Sequence, residues 1–284
     1  MSSSNSNANT LDASAESRSL AGTQSIVRAS EIISLVASYS VEGLRAVDIA
    51  EHLGLARPTA HRILQCLVTE GWLMRRPDGR RYFLGHGLFE LGLTAAPQFK
   101  FREICQPSLD RIARKTGHVA FLTIRSGRDA ISIARSKGRP LEFSYLQVGT
   151  HRPLGIGAGS LAILMSLEDR EVEKIVTANA RRFKSYAPIN IQMLLEWVQI
   201  SRQQGFASHD ERLLKGVSGA AVQVTDSSGT ILGAISVSAL VPKLDPAALS
   251  DIVSILGREA RLIQGLLTKD IGYAAEKVRL LSQN

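Results

Sequence analysis

Between residues 46 and 84 the spacing of apolar positions changes twice, and each change marks an element boundary. Ala60, Ile63, Leu64, Leu67 and Val68 recur at intervals of three and four, the period of a helix that buries one stripe. This predicts a helix from Ala56 to about Glu70, opened by Pro58, whose missing N–H suits a first turn, and closed by Gly71. Ahead of it, Ile49, Ala50 and Leu53 predict a short helix over 46–53, and Gly54 permits a sharp turn between the two. After Gly71 the pattern becomes extended. Residues 72–76 and 80–84 flank Pro77-Asp78-Gly79, a hairpin signature. A further helix over 23–39 carries Ile26, Ala29, Ile32, Ile33 and Val36 on one side, so the segment reads as three helices followed by a two-stranded wing.

Beyond the wing, Leu88, Phe89, Leu91 and Leu93 predict a linking helix over 85–96, which Pro97 interrupts before another helical run over about 101–115. Strands are expected at 121–124, 130–134 and 141–145, and a helix begins within 161–165. The clearest strands are 217–224 and 230–238, joined by the turn Asp226-Ser227-Ser228-Gly229 and followed by a long helix from Pro246. This order predicts an α+β chain with a mostly antiparallel sheet in its larger part. The expected divisions are a disordered tail over 1–22, a winged helix-turn-helix over 23–84, the linking helix over 85–96 and a second domain over 97–284.

Charge sharpens the reading only locally. The formal net charge of the 284 residues is +8, yet residues 1–96 hold nine Arg and nine Asp plus Glu. Between Arg57 and Arg81, however, six Arg face only Glu70 and Asp78. The polar side of the second helix of the pair offers Arg57, Pro58, Thr59, His61, Arg62 and Gln65, and the wing offers Arg75, Arg76, Arg80 and Arg81. Side chains of this kind reach phosphates and base edges, so double-stranded DNA is the expected partner. Cys66 and Cys105 form no metal-ligand spacing and read as reduced structural thiols. His118 and His151 read as solvated or structural. No metal, cofactor or catalytic residue is expected: GxSxG, P-loop and HExxH patterns do not occur. Without a signal-peptide core or a membrane-length apolar run, the expected location is the cytoplasm.

The chain resembles the IclR family of bacterial transcriptional regulators from Gly22 to its end. The residues that carry the likeness are Gly22-Thr23-Gln24-Ser25, Arg28-Ala29, the run from Ala56 to Leu64 and Tyr82-Phe83-Leu84-Gly85. Thr116-Gly117-His118, Gly149, Pro153-Leu154, Gly155 through Leu161, Gly205-Phe206 and the late hairpin follow in family order. The resemblance implies a sequence-specific regulator with a GAF-like effector domain, working as a homodimer or homotetramer on palindromic operators and responding to a small organic acid. Family pocket positions fall on Ala158, Gly159, His209, Gly219, Ser236 and Ser238, and the usual Lys after the loop is Leu161. A Gly-rich loop opening a helix suits a carboxylate, and Ser236 and Ser238, two apart, share a sheet face. Some relatives carry an acidic residue at 209 and a Cys at 219. His209 and Gly219 are therefore expected to make a roomier, more anion-friendly cavity for an aromatic or larger acid. The alternatives are a DNA-binding dimer whose second domain only oligomerises, or an enzyme built on an unrecognised pair such as Ser160 and His209.

Overall fold

A computed structural model describes residues 23–39, 42–76, 79–96, 100–138, 147–183, 186, 189–210, 212–213, 215–240 and 244–269. The expected tail over 1–22, the strand over 141–145, Pro97 and the turn residues Pro77 and Asp78 lie outside these. The chain divides into two compact units between Thr94 and Ala95.

The first unit contains α1 (Gln24–Ser38), β1 (Leu44–Arg45), α2 (Ala46–Leu53), α3 (Arg57–Thr69), β2 (Leu73–Arg75), β3 (Arg81–Leu84) and all but the last residue of α4 (His86–Ala95). Its core is the stripe of each helix brought together: Ile32 and Val36 from α1, Ile49 from α2, and Leu64 and Leu67 from α3, closed by Leu73 and Tyr82 of the wing. Gly54 sits at φ 62 between α2 and α3, a left-handed turn that a Cβ would disfavour. The sheet runs β1-β3-β2, antiparallel throughout. The two-residue strand β1 was not expected from the sequence, because its pairing to Tyr82 and Arg81 is tertiary. In β2 and β3, Leu73 faces Leu84, Met74 faces Phe83 and Arg75 faces Tyr82.

The second unit is a six-stranded antiparallel sheet ordered β6-β5-β4-β9-β8-β7. Its elements are α5 (Phe101–Thr116), β4 (Val119–Ser126), β5 (Asp129–Ser136), β6 (His151–Pro153), α6 (Ala158–Leu164), α7 (Asp169–Phe183), α8 (Ile191–Gln204), β7 (Ala207–His209), β8 (Ser218–Thr225), β9 (Ile231–Ala239) and α9 (Pro246–Lys269). One face packs on α5 and α9 through Leu122, Ile124, Val222, Ile235 and Val237. The other packs on α6, α7 and α8 through Ala130, Ala221 and Ala234. The β8–β9 turn is tied by Asp226, whose Oδ1 accepts from the Ser228 N–H at 2.9 Å and the Thr230 N–H at 2.9 Å. The helix expected to begin within 161–165 begins three residues earlier, at Ala158.

Candidate functional sites

On α3 the buried stripe of Ala60, Leu64 and Leu67 fixes which residues point away. Arg57, Pro58, His61, Arg62 and Gln65 are exposed, and Thr59 is half-buried. Cys66 is exposed on the same helix, which revises its reading as a structural thiol. Cys105 is buried in α5, and burial pushes its thiol pKa up, which keeps it inert. On the wing, Arg75, Arg76, Arg80 and Arg81 are all exposed. Two of them rest on aromatic rings: the Arg75 guanidinium lies 5.4 Å from the Tyr82 ring centre and that of Arg76 4.6 Å from Phe83. Such stacking holds a long side chain in place while leaving its charge outward. Arg81 also ties the wing to the chain before β1, donating from Nη1 to the Gly43 carbonyl at 2.9 Å.

The second candidate site is a cavity of about 30 Å³ beneath the loop that opens α6. Sheet register explains its lining. Thr123 pairs with Ser132 across β4 and β5, and Phe121 pairs with Ser236 across β4 and β9. Directly paired residues share a face, so Thr123, Ser132, Ser236 and Ser238 all turn toward α6. At the sheet edge Ala130 pairs with Arg152, which brings the Arg152 side chain to the same face. Gly159 then seats the helix: a Cβ there would stand 2.8 Å from Thr123 Oγ1 and 3.3 Å from Ser236 Oγ. The cavity thus gathers five of the six expected effector residues, Ala158, Gly159, His209, Ser236 and Ser238, together with Thr123, Ser132, Thr150 and Arg152.

Gly219 is the exception. It lines a separate outer pocket of about 170 Å³ with Trp197, Ser208 and Arg212, and His209 borders both spaces. A Cβ on Gly219 would lie 2.7 Å from the Val237 carbonyl and 3.2 Å from His209 Nε2. The space left by the missing side chain is therefore taken by the His209 ring, which corrects the expectation that Gly219 makes the cavity roomier. His209 itself is buried, with Nδ1 3.0 Å from the Asp210 carbonyl. Burial lowers its pKa, the Asp210 carbonyl and carboxylate oppose this, and the charge of Arg152 adds to the lowering. The lowered pKa disfavours the charged form of the ring, which weighs against His209 as the cationisable group of the site.

The charged group there is Arg152. It is 8% exposed, with its guanidinium carbon 5.9 Å from the Tyr186 ring centre. Burial lowers its pKa from the usual value while Tyr186 acts in the opposite direction, and an arginine remains charged through such a shift. Sequence reasoning missed it because β6 is three residues long and its face is set by pairing with Ala130. The loop itself is partly self-satisfied: Ser160 Oγ accepts from the Gly155 N–H at 2.7 Å, and the Ile156 N–H bonds the Pro153 carbonyl at 3.1 Å. The expected carboxylate cradle of loop N–H groups is correspondingly reduced. Thr116 Oγ1 accepts from the His118 N–H at 3.2 Å. His151 has its pKa lowered by burial, with Asp129 opposing. Among the described residues no group of His, Cys, Asp and Glu is arranged to hold a metal ion, and no helix is long and apolar enough to cross a membrane.

A helix-turn-helix with an arginine-bearing wing, followed by an antiparallel α+β unit, defines a DNA-binding transcriptional regulator. The chain belongs to the IclR family: the IclR helix-turn-helix domain matches residues 25–77 and the bacterial transcriptional regulator IclR C-terminal domain matches 94–264. It is 27% identical over 256 residues to the HTH-type transcriptional regulator XynR of Escherichia coli K12, covering 89% of this chain and 98% of that protein. The fold is that of an IclR transcriptional regulator from Alicyclobacillus acidocaldarius, with TM-score 0.67 at 22% identity over 85% of this chain and 98% of the other. An IclR homolog from Microbacterium hydrocarbonoxydans, solved with 4-hydroxybenzoate, matches with TM-score 0.62 at 20% identity over 86% and 99%. The curated relatives are regulators and repressors of transcription.

Proposed function

We propose that the chain binds a palindromic operator as a homodimer, through the exposed face of α3 and the β2–β3 wing, and that a small carboxylate in the α6 cavity shifts this binding. The observation that carries the effector half is a buried arginine at a hydroxyl-lined cavity. On the DNA side, Arg57, Pro58, Thr59, His61, Arg62 and Gln65 read or position the duplex, and Arg75, Arg76, Arg80 and Arg81 follow its backbone. One α3 spans few base pairs, so useful specificity needs two copies on half-sites about 34 Å apart. The apolar helix α4 supports a second copy: it buries none of its residues, and Phe89, Leu91 and Leu93 are exposed. Acting on the chromosome of a bacterium, the protein works in the cytoplasm.

An effector changes operator affinity only by binding one arrangement of the dimer better than another. The test is thermal unfolding of the full chain against a panel of carboxylates, with operator binding followed in parallel. A ligand at 100 times its Kd adds about 2.7 kcal/mol, and the same ligand must move the operator Kd. A stabilising acid without effect on DNA binding sinks the regulatory role. No shift by any acid, with DNA binding intact, favours a second domain that only oligomerises.

A further inference from the structure

We infer that Arg45, Arg81 and Arg76 form one row of cations across the outer face of the β1-β3-β2 sheet that grips the DNA backbone beside the α3 contact, and that Asp48 tempers this grip by holding Arg45. The inference rests on the reading of α3 and the wing as the DNA surface and extends it to a residue outside both.

Sheet register builds the row. Arg45 of β1 pairs directly with Arg81 of β3. The β2–β3 register runs from Leu73 opposite Leu84 to Arg75 opposite Tyr82, and one step further stands Arg76 opposite Arg81. Directly opposed residues share a face. It is the face turned away from the core, because Leu44, Leu73 and Tyr82 fill the other one. Arg45, Arg76 and Arg81 are accordingly all exposed. Neighbouring strands lie about 4.8 Å apart, so the three Cα atoms fall within about 10 Å, one Debye length at about 0.1 M salt.

Such a row is unfavourable in the protein alone. Like charges directly opposite one another destabilise a sheet, and each guanidinium is held by a different partner. Arg45 makes a two-pronged pair with Asp48, Nε to Oδ2 at 2.9 Å and Nη2 to Oδ1 at 2.7 Å. Arg81 donates from Nη1 to the Gly43 carbonyl at 2.9 Å. Arg76 stacks on Phe83 at 4.6 Å, and Phe83 lies against Gly43, where a Cβ would stand 2.5 Å from the ring. These contacts fix the side chains and leave charge at the surface, with the Arg45 side chain 54% exposed. A phosphate backbone laid across the row meets three preset cations and turns their repulsion into binding. The row stands on the core that also carries α3, since Leu44, Leu73 and Tyr82 pack with Leu64 and Leu67.

Asp48 sets the strength of the grip. Among the described residues it is the one carboxylate in an ion pair with the row, while Glu51 acts on Arg45 at longer range. The bonds from Arg45, against burial and with help from the charge of Arg81, pull its carboxyl down to about 2. It therefore stays ionised and competes with phosphate for Arg45. The same side chain holds the start of α2, accepting from the Arg45 N–H at 3.2 Å. Phosphate must displace this carboxylate to engage Arg45 fully, and the exchange opposes every DNA sequence alike. Asp48 thus restrains sequence-independent binding while α3 reads the bases.

The experiment measures binding of the full-length protein to a mixed-sequence duplex of about 30 base pairs by fluorescence anisotropy, over salt from about 50 to 200 mM. Arg45→Gln should weaken binding by about threefold or more at the low-salt end and lower the salt slope by about 0.9, the value of one phosphate contact. Asp48→Asn keeps an acceptor for the Arg45 N–H and should strengthen binding by about threefold, a gain that should vanish in the Arg45→Gln background. The same gain in both backgrounds would mean that Asp48 merely repels DNA, which overturns its tempering role. Arg62→Ala and Arg80→Ala serve as references. Weaker binding in those two, with unchanged affinity and slope in a folded Arg45→Gln protein, overturns the row and leaves the surface of α3 and the wing standing. Unchanged binding in all three overturns that surface and this inference together. Should Arg45→Gln not fold, Asp48→Asn decides, and unchanged affinity for the duplex in that variant overturns the inference.

Discussion

The two faces of the six-stranded sheet are built from the same strands and both carry buried apolar residues, but only the face toward α6 is interrupted by a hydroxyl-lined cavity. Along β9 the residues run Ile235, Ser236, Val237 and Ser238. The aliphatic members turn to α5 and α9 and join a continuous core, while the serines turn to α6 and line a cavity. In β4, Leu122 and Thr123 divide in the same way. A strand alternates its side chains, so one segment can stabilise the domain with one face and bind a ligand with the other. The lesson is that stability and recognition are separable here at adjacent positions, and substitutions one residue apart should fall into different classes.

The largest effect is expected at Leu122→Ala. Leu122 is fully buried on the aliphatic face, and truncation leaves a hole that close-packed neighbours only partly fill. A loss of about 2–5 kcal/mol is expected in denaturant unfolding, with unchanged ligand affinity under conditions where the variant remains folded. A comparable change in ligand affinity would erase the distinction between the faces.

Glu259→Gln tests the same face through charge. Glu259 of α9 accepts from Arg111 of α5, with Nε at 3.1 and 3.0 Å from its two oxygens and Nη2 at 2.7 Å. Burial alone pushes its pKa up, but the bonds from Arg111 and Ser108 outweigh this and leave the carboxyl below the usual glutamate value. A lowered folded pKa means stability that is present above the ordinary value of about 4.3 and lost as pH falls through the folded value. Because the Arg111 side chain is 35% exposed, the expected cost is modest, about 1–2 kcal/mol at pH 7. The gap between the two proteins should close on acidification. A gap that stays constant to low pH would show that shape, not charge, makes Glu259 matter.

Gly219→Ala probes the opposite face beyond the cavity. Its Cβ would meet the Val237 backbone carbonyl at 2.7 Å, which cannot rotate away, and His209 at 3.2 Å. A loss of about 1–3 kcal/mol is expected, together with altered ligand affinity as His209 shifts toward the cavity. Normal stability and affinity would mean that the strand relaxes and that His209 is not held by this contact.

The sequence disclosed the first unit more completely than the second, for a physical reason. The elements α1 to α3 and the wing are punctuated by Gly54 and Gly71 and have regular apolar stripes, signals that lie within about a dozen residues. The β8–β9 hairpin was equally readable, since Asp226 and Gly229 define its turn locally. The β6 strand was not, because only its pairing with β5 makes it a strand. Without that pairing Arg152 is one more arginine in a basic chain. Helix α7 also passed unread: its buried side is Val172, Ile175, Val176, Asn179 and Phe183, and Asn179 interrupts the apolar series. That asparagine is held by bonds the sequence does not announce, donating to the Arg128 carbonyl at 2.8 Å and accepting from Arg182 at 3.1 Å. Correspondence with the family placed Gly219 in the cavity, but the position of the His209 ring determines what the missing side chain opens.

The smallest change in stability is expected where the comparison is sharpest, at Ser236→Ala. Ser236 lies between Ile235 and Val237, both fully buried on the far face, and is itself 5% exposed on the cavity side. Alanine keeps the strand and its backbone bonds and removes only Oγ, which stands near Gly159 at the cavity wall. Unfolding should therefore move by no more than about 1 kcal/mol, the worth of one hydrogen-bonding group. Affinity for the carboxylate that stabilises the full chain should fall by about three- to tenfold. Calorimetric titration of that acid, beside unfolding of both proteins, reads these quantities separately. If Ser236→Ala instead loses several kcal/mol and the acid weakens with it, the serine is a packing residue and not part of the ligand wall. If stability holds and the acid weakens, alternation along one strand divides the work between fold and ligand.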